Sequence, residues 1–251
     1  DVFGGGLWVI LIAVFHVYIA HFAVGGGLFL VLAERKGLRE NNPAMLDHVR
    51  RHARFFLLVT MVLGSMTGVG IWFIIAWAAE WVFFLVEIVA LFLYAYTFGR
   101  MAARPHQLLG WIYFGAAWMS LFIINGVIDF MLTPGTWPED RNFWSGFFNP
   151  TFWPALFFRT FFALIIAGLF GLMTAAWIRE ERLRTRMVRF CALWLLAPLA
   201  FFVASAWWYK AALPPELQEM IFQRMPEMRA ILDRFLLGAP VLLFGGLLLV
   251  L

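Results

Sequence analysis

Long uncharged runs broken by short charged ones set the pattern of this chain. Val2 to Ala33 is a run of 32 residues without Asp, Glu, Lys or Arg. A helix needs about 20 apolar residues to cross a bilayer. The pattern recurs and predicts apolar helices at about 7–33, 54–77, 80–99, 107–131, 153–178, 187–209 and 235–251. The last is too short to cross comfortably, so the chain is expected to continue past Leu251. The whole, residues 1–251, reads as one all-α integral membrane domain, a bundle of about seven transmembrane helices.

Two segments break the pattern. Thr133–Pro154 is rich in Pro, Gly, Asn and Trp and should lie along the outer surface. Residues 210–234 form a second outer segment. There, Pro214–Arg234 reads as one or two short amphipathic helices interrupted at Pro226, with Leu217, Met220, Ile221, Met225, Met228 and Ile231 turned to lipid or a partner.

Composition agrees with a membrane protein. The chain is 63% hydrophobic and only 14% charged, against roughly 45–50% and 25% in soluble domains. Its 29 Phe and 13 Trp suit membrane interfaces and equally the walls of a flat cofactor pocket. The single Cys191 excludes an internal disulfide, c-type haem attachment through Cys-x-x-Cys-His and a Cys-ligated cluster. No cleavable signal peptide is expected, because the first apolar run is too long and lacks a basic leader.

Charge then sets orientation. The loops after the first, third and fifth helices hold 13 of the 19 basic residues, and the opposite side holds 6. The positive-inside rule puts the N-terminus outside and the first loop in the cytoplasm. The same placement explains the net charge of +4, which therefore does not point to nucleic acid.

Ionisable groups at membrane depth are costly and mark function by default. His21 falls near the middle of the first helix, with His16 about 7 Å further out. Five residues apart, they point about 140° away from each other and cannot grip one iron together. Imidazole is a common haem ligand, so each is a candidate metal ligand. Met66 and Met119 lie at a depth comparable with His21 and offer a His/Met pairing. His16, Glu87, Asn125 and Arg159 are expected to share one polar layer, with Glu80 and Asp129 above it near the solvated interface. Glu87 and Arg159 form either a structural ion pair or part of a catalytic set. At the cytoplasmic side His48 reads as solvated, while His52 and His106 begin helices and can reach an inner cofactor. Gly25, Gly26, Gly27, Gly64 and Gly68 allow close helix approach and also leave room for a porphyrin.

The order of features over about the first 180 residues resembles subunit I of cytochrome bd quinol oxidases. "VFHVYIAHFAVGGGLFLVLAER" resembles that family's first helix, "VLGSMTGVGIWF" its glycine-rich second and "EWVFFLVE" its third. "WMSLFIINGVIDFMLTPG" and "FNPTFWPALFFRT" resemble its fourth and the start of its fifth. The resemblance implies that His16 ligates a high-spin haem and that Glu80 and Glu87 are its two intramembrane carboxylates, although the family's spacing there is one residue longer. Where the family carries a His ligand for its low-spin haem b, this chain has Arg159, and the family's "GRQPW" quinol signature is missing after the sixth helix. His21 has no counterpart in the family's motif.

The expected function is a haem-binding membrane subunit of a respiratory electron-transfer complex, oxidising quinol, reducing O₂, or both. Glu80 and Glu87 would be catalytic; His16, His21, Asn125, Arg159, His52 and His106 would bind cofactor, with His16 and His21 on haem iron. The cofactor would be haem of b or d type and the substrate quinol. Partners would be lipid, other membrane subunits and an outer cytochrome or redox subunit, in a bacterial or archaeal cytoplasmic membrane. Two other classes stay open: a haem-free quinol-binding anchor of a redox complex, and a proton or small-solute transporter.

Overall fold

The computed structural model describes residues 5–67 and 78–250, and among them every regular element is helical. The long helices are α1 (Gly5–Arg39), α2 (Pro43–Leu58), α3 (Ala78–Thr97) and α4 (Ala103–Leu132). Two short helices follow, α5 (Trp137–Asp140) and α6 (Phe143–Phe147), then α7 (Phe152–Ala176), α8 (Glu181–Ala212), the short α9 (Pro215–Glu219) and α10 (Pro226–Val250). Six helices among the described residues are long and apolar enough to cross a membrane. The molecule is an all-α integral membrane bundle. The predicted second span begins in α2 and continues through a π-helical turn, Val59–Gly64. Its remainder, residues 68–77, with Gly68 and Gly70, lies outside the described residues.

Helices run past the predicted ends because charged residues continue them. Lys36 pairs with Glu40 at 3.2 Å and Arg51 with Asp47 at 3.1 Å, both one turn apart. Only Glu40–Asn42 separates α1 from α2. Asn42 caps α2 by accepting the Met45 N–H, and Pro43 takes the first helical position, where a missing N–H costs nothing.

The last helix departs from expectation. It starts at Pro226, not near 235, and its 25 residues suffice to cross. The charges of its first turns (Glu227, Arg229, Asp233, Arg234) hide it from hydropathy; the helical stretch Pro215–Arg224 ends at an extended Met225, and Pro226 opens the new helix.

The chain divides into two compact units, Asp1–Ile123 and Ile124–Leu251, with the division inside α4. In the first, α1 packs on α2, and the glycines of α1 serve close packing. A Cβ on Gly26 would lie 1.6 Å from the Phe56 ring, and one on Gly27 3.0 Å from Tyr113. At Gly26 and Gly27 the close approach is to protein side chains. In the second unit α7 packs along α8 over most of its length, and α10 also lies on α8. A Cβ on Gly168 would come within 3.0 Å of the Leu195 backbone nitrogen and 3.1 Å of the Cys191 carbonyl. Cys191 is thus a buried packing residue.

Candidate functional site

In the first unit, His16 stands half-buried on α1 and its Nδ1 lies 3.0 Å from Thr67 Oγ1. That hydroxyl also lies within donating distance of two carbonyls of its own helix, Leu63 at 2.6 Å and Gly64 at 3.2 Å. The His16–Thr67 hydrogen bond orients the imidazole. A histidine held in this way by one ring nitrogen can offer the other to a metal, including haem iron. His21 is buried and its Nδ1 donates to the Val17 carbonyl of its own helix at 2.6 Å. Met66 is 69% exposed.

The third and fourth helices carry a ladder of polar side chains. Glu80, Glu87 and Tyr94 on α3 are spaced by seven, as are His106, Tyr113 and Ser120 on α4. Seven residues are nearly two full turns, so each set lines one face. The two series meet in reverse order. Ser120 donates to Glu80 Oε1 at 2.8 Å. The Glu87 carboxyl interacts electrostatically with Tyr113. The Tyr94 ring stacks on the His106 ring at 4.3 Å. Glu87 is buried and Glu80 half-buried, so Glu80 is not the solvated surface group expected. Tyr113 donates to the Ala23 carbonyl at 2.9 Å, and the buried Thr60 hydroxyl beside it lacks a well-formed hydrogen bond.

At the Tyr94 rung Glu34 of α1 closes a buried cluster. One carboxylate oxygen accepts from Tyr94 at 2.8 Å and from the Gln107 amide at 2.6 Å. The other meets His106 Nδ1 at 2.6 Å, and His106 Nε2 meets the Tyr94 carbonyl at 2.9 Å. Both His106 nitrogens are engaged, one with the Glu34 carboxyl and the other with the Tyr94 carbonyl. Sequence reasoning gave Glu34, Tyr94 and Gln107 no role. The seven-residue spacing of Glu80, Glu87 and Tyr94 was the available signal.

His48 and His52, one turn apart on α2, are both buried, so His48 is not solvated as expected. Their rings stack at 5.9 Å, and His52 also lies against Phe29 and Phe56. His48 Nε2 and both His52 nitrogens lack hydrogen-bond partners. Burial pushes His48 down to about 4 and His52 down to about 3, with the neighbouring charges on Arg51 and on His48 respectively adding to it.

The second unit holds its own polar group. Asp129 of α4 is fully buried, contrary to the interfacial position expected. Tyr209 of α8 donates to its Oδ1 at 3.1 Å, and Arg159 of α7 approaches the same oxygen at 3.8 Å. Arg159 thus has Asp129 as a carboxylate neighbour. One turn before Asp129, Asn125 donates to the Phe152 carbonyl at 2.9 Å. Asn125 Oδ1, Asp129 Oδ2 and Arg159 Nε are buried without a hydrogen-bond partner. Beyond them Thr133, Asn149 and Thr151 join in a buried network that ties the end of α4 to the loop before α7. Among the described residues no three His, Cys, Asp or Glu side chains cluster to hold a metal ion.

No protein-family model matches the chain, and no curated protein matches it. Among solved structures it is similar to the bd oxidase from Geobacillus thermodenitrificans, at 20% identity and a TM-score of 0.64. The match covers 81% of this chain and 54% of that one, so the chain spans about half the length of the protein it resembles. At this identity the likeness is one of fold.

Proposed function

We propose that this chain is a haem-binding membrane subunit of a respiratory electron-transfer complex, related to subunit I of bd-type quinol oxidases. The observation that supports the proposal is His16, its imidazole oriented by Thr67 within an apolar helix, on a fold similar to that of a bd oxidase. His16 would hold the iron through Nε2. Bound haem supplies one-electron transfer and, with an open face, O₂ binding.

The chain's own residues then handle position and protons. Thr67 fixes the His16 ring. Glu87, buried between Glu80 and Tyr113, takes up or gives a proton, and Glu80 exchanges it through Ser120. The Glu34–His106 pair locks α1, α3 and α4 around them. With the N-terminus outside, this ladder runs between the two membrane faces. Quinol is the electron donor, and further membrane subunits with an outer redox partner complete the complex.

The test is the visible spectrum of the purified protein, with and without His16→Ala. A Soret band that the substitution abolishes or shifts supports the proposal. Absence of a Soret band sinks it in favour of a haem-free anchor or transporter, and an unchanged band refutes His16 as ligand.

A further inference from the structure

The first turns of α8 carry a basic strip. Arg182, Arg186 and Arg189 are spaced by four and three, which puts them on one face of the helix, and all three are exposed. The opposite face, through Leu183, Met187 and Cys191, is buried. In the first unit the charges of the loop region are answered within the chain, Lys36 by Glu40 and Arg51 by Asp47. Here Glu180 and Glu181 stand beside the arginines in sequence, yet among the described residues no ion pair joins a carboxylate to Arg182 or Arg186. Their counter-charge comes from outside the chain.

The basic strip runs straight into an apolar one. Leu193, 52% exposed, continues the same face of α8, and Ala197, Ala200 and Ala204 beyond it are open as well. Trp207, 72% exposed, ends the strip, with the Lys210 ammonium 5.7 Å from its ring. From Arg189 to Trp207 the helix rises about 27 Å, close to the thickness of the hydrocarbon core. Trp177, in the turn before α8, is 87% exposed, as suits a residue that favours the membrane interface. Arg182, Arg186 and Arg189 therefore stand at headgroup level, spread over about 10 Å, with the apolar strip at the depth of acyl chains.

Anion above hydrocarbon is the pattern of a phospholipid. Guanidinium forks match phosphate oxygens. A zwitterionic headgroup brings its own cation and leaves the strip unanswered, and an acidic soluble partner would match the arginines but not the apolar continuation. We infer that this face of α8 binds an anionic phospholipid of the leaflet that the positive-inside rule makes cytoplasmic. Arg182, Arg186 and Arg189 hold the phosphate, and an acyl chain lies along Leu193, Ala197 and Ala200. Haem plays no part in this site.

The full chain in detergent is titrated, at fixed ionic strength, with phosphatidylglycerol and separately with phosphatidylcholine, and bound lipid is counted by native mass spectrometry. Phosphatidylglycerol should bind in preference. Arg182→Gln with Arg186→Gln should cut that preference about tenfold or more. Arg179→Gln with Arg184→Gln removes the same charge from the same region but off the strip, and should change it by about twofold or less. Inorganic phosphate should not displace the lipid. Because a variant can fail to fold, the wild type is also cross-linked with phosphatidylglycerol carrying a diazirine in its acyl chain, and the label should fall within 190–204. No preference in the wild type, equal losses in the two double variants, displacement by inorganic phosphate, or label confined to other helices would each overturn the inference. So would a photo-reactive side chain at position 193 that captures a neighbouring protein in the native membrane and no lipid, which would give this face to a partner subunit.

Discussion

The cluster around Glu34 and the group around Asp129 are built from similar parts and finished differently. Each joins a buried carboxylate to a basic side chain and a tyrosine from separate helices. At Glu34 both oxygens are used, by Tyr94, Gln107 and His106. At Asp129 one oxygen carries Tyr209 and a loose approach from Arg159, and the other is idle. A closed network fixes helices, because removing any member strands the others in a medium that cannot solvate them. At Asp129 the second oxygen has no hydrogen-bond partner among the described residues, so less is lost when its charge is removed.

The largest expected effect follows from the closed cluster. Glu34→Ala leaves Tyr94, Gln107 and His106 buried without their shared acceptor, and each such loss costs about 1–3 kcal/mol. Thermal unfolding in detergent should show a large fall in Tm, and an unchanged Tm would mean that the cluster does not hold the helices. Asp129→Asn should cost about 1 kcal/mol or less in the same assay, since a neutral amide replaces a half-matched charge. A loss equal to that of Glu34→Ala would erase the contrast between the two groups.

The histidines of α2 give a smaller, pH-dependent effect. Both are buried neutral, at about 4 and about 3 against an ordinary 6.5. Below 6.5 the unfolded chain binds protons that the folded chain refuses. Their contribution to stability is therefore complete above 6.5 and drains as pH falls toward 3. Replacing both with Phe should flatten the acid limb of the Tm–pH curve, and an unaltered limb would contradict their burial. The smallest effect is expected at Asp140 in the loop between α4 and α7. Hydrogen bonds from the Asn142 N–H, Ser145 and Thr136 hold this exposed carboxyl below the usual carboxylate range. Its contribution is present above the unfolded value and lost as pH falls through the lowered folded one. Hydrogen exchange of the loop should rise at acid pH in the wild type and much less so in Asp140→Asn.

The helical membrane architecture could be read from hydropathy because bilayer thickness imposes a length that few other structures share. The ends could not. α1 and α10 extend through Lys36 and Glu227, where ion pairs and a first-position proline replace apolar residues. His16, Glu80 and Glu87 stood out as ionisable groups in apolar runs, whereas Glu34 lay just past such a run and read as an interfacial charge. His52 and His106 looked alike in sequence. One lies in an aromatic shell with two idle nitrogens, the other between two acceptors, and only the packing of α1, α3 and α4 decides between them. Arg159 drew attention as a departure from the family's His, yet its partner depends on a contact between α4 and α7 that no spacing rule supplies.

Central to the proposed function is a single imidazole, His16, oriented by Thr67. The most direct measurement is the visible absorption spectrum of the purified protein alongside His16→Ala and Thr67→Val. The account predicts a Soret band in the wild type, lost or shifted in His16→Ala and weakened in Thr67→Val. A spectrum without a Soret band, or one that His16→Ala leaves unchanged, would contradict it.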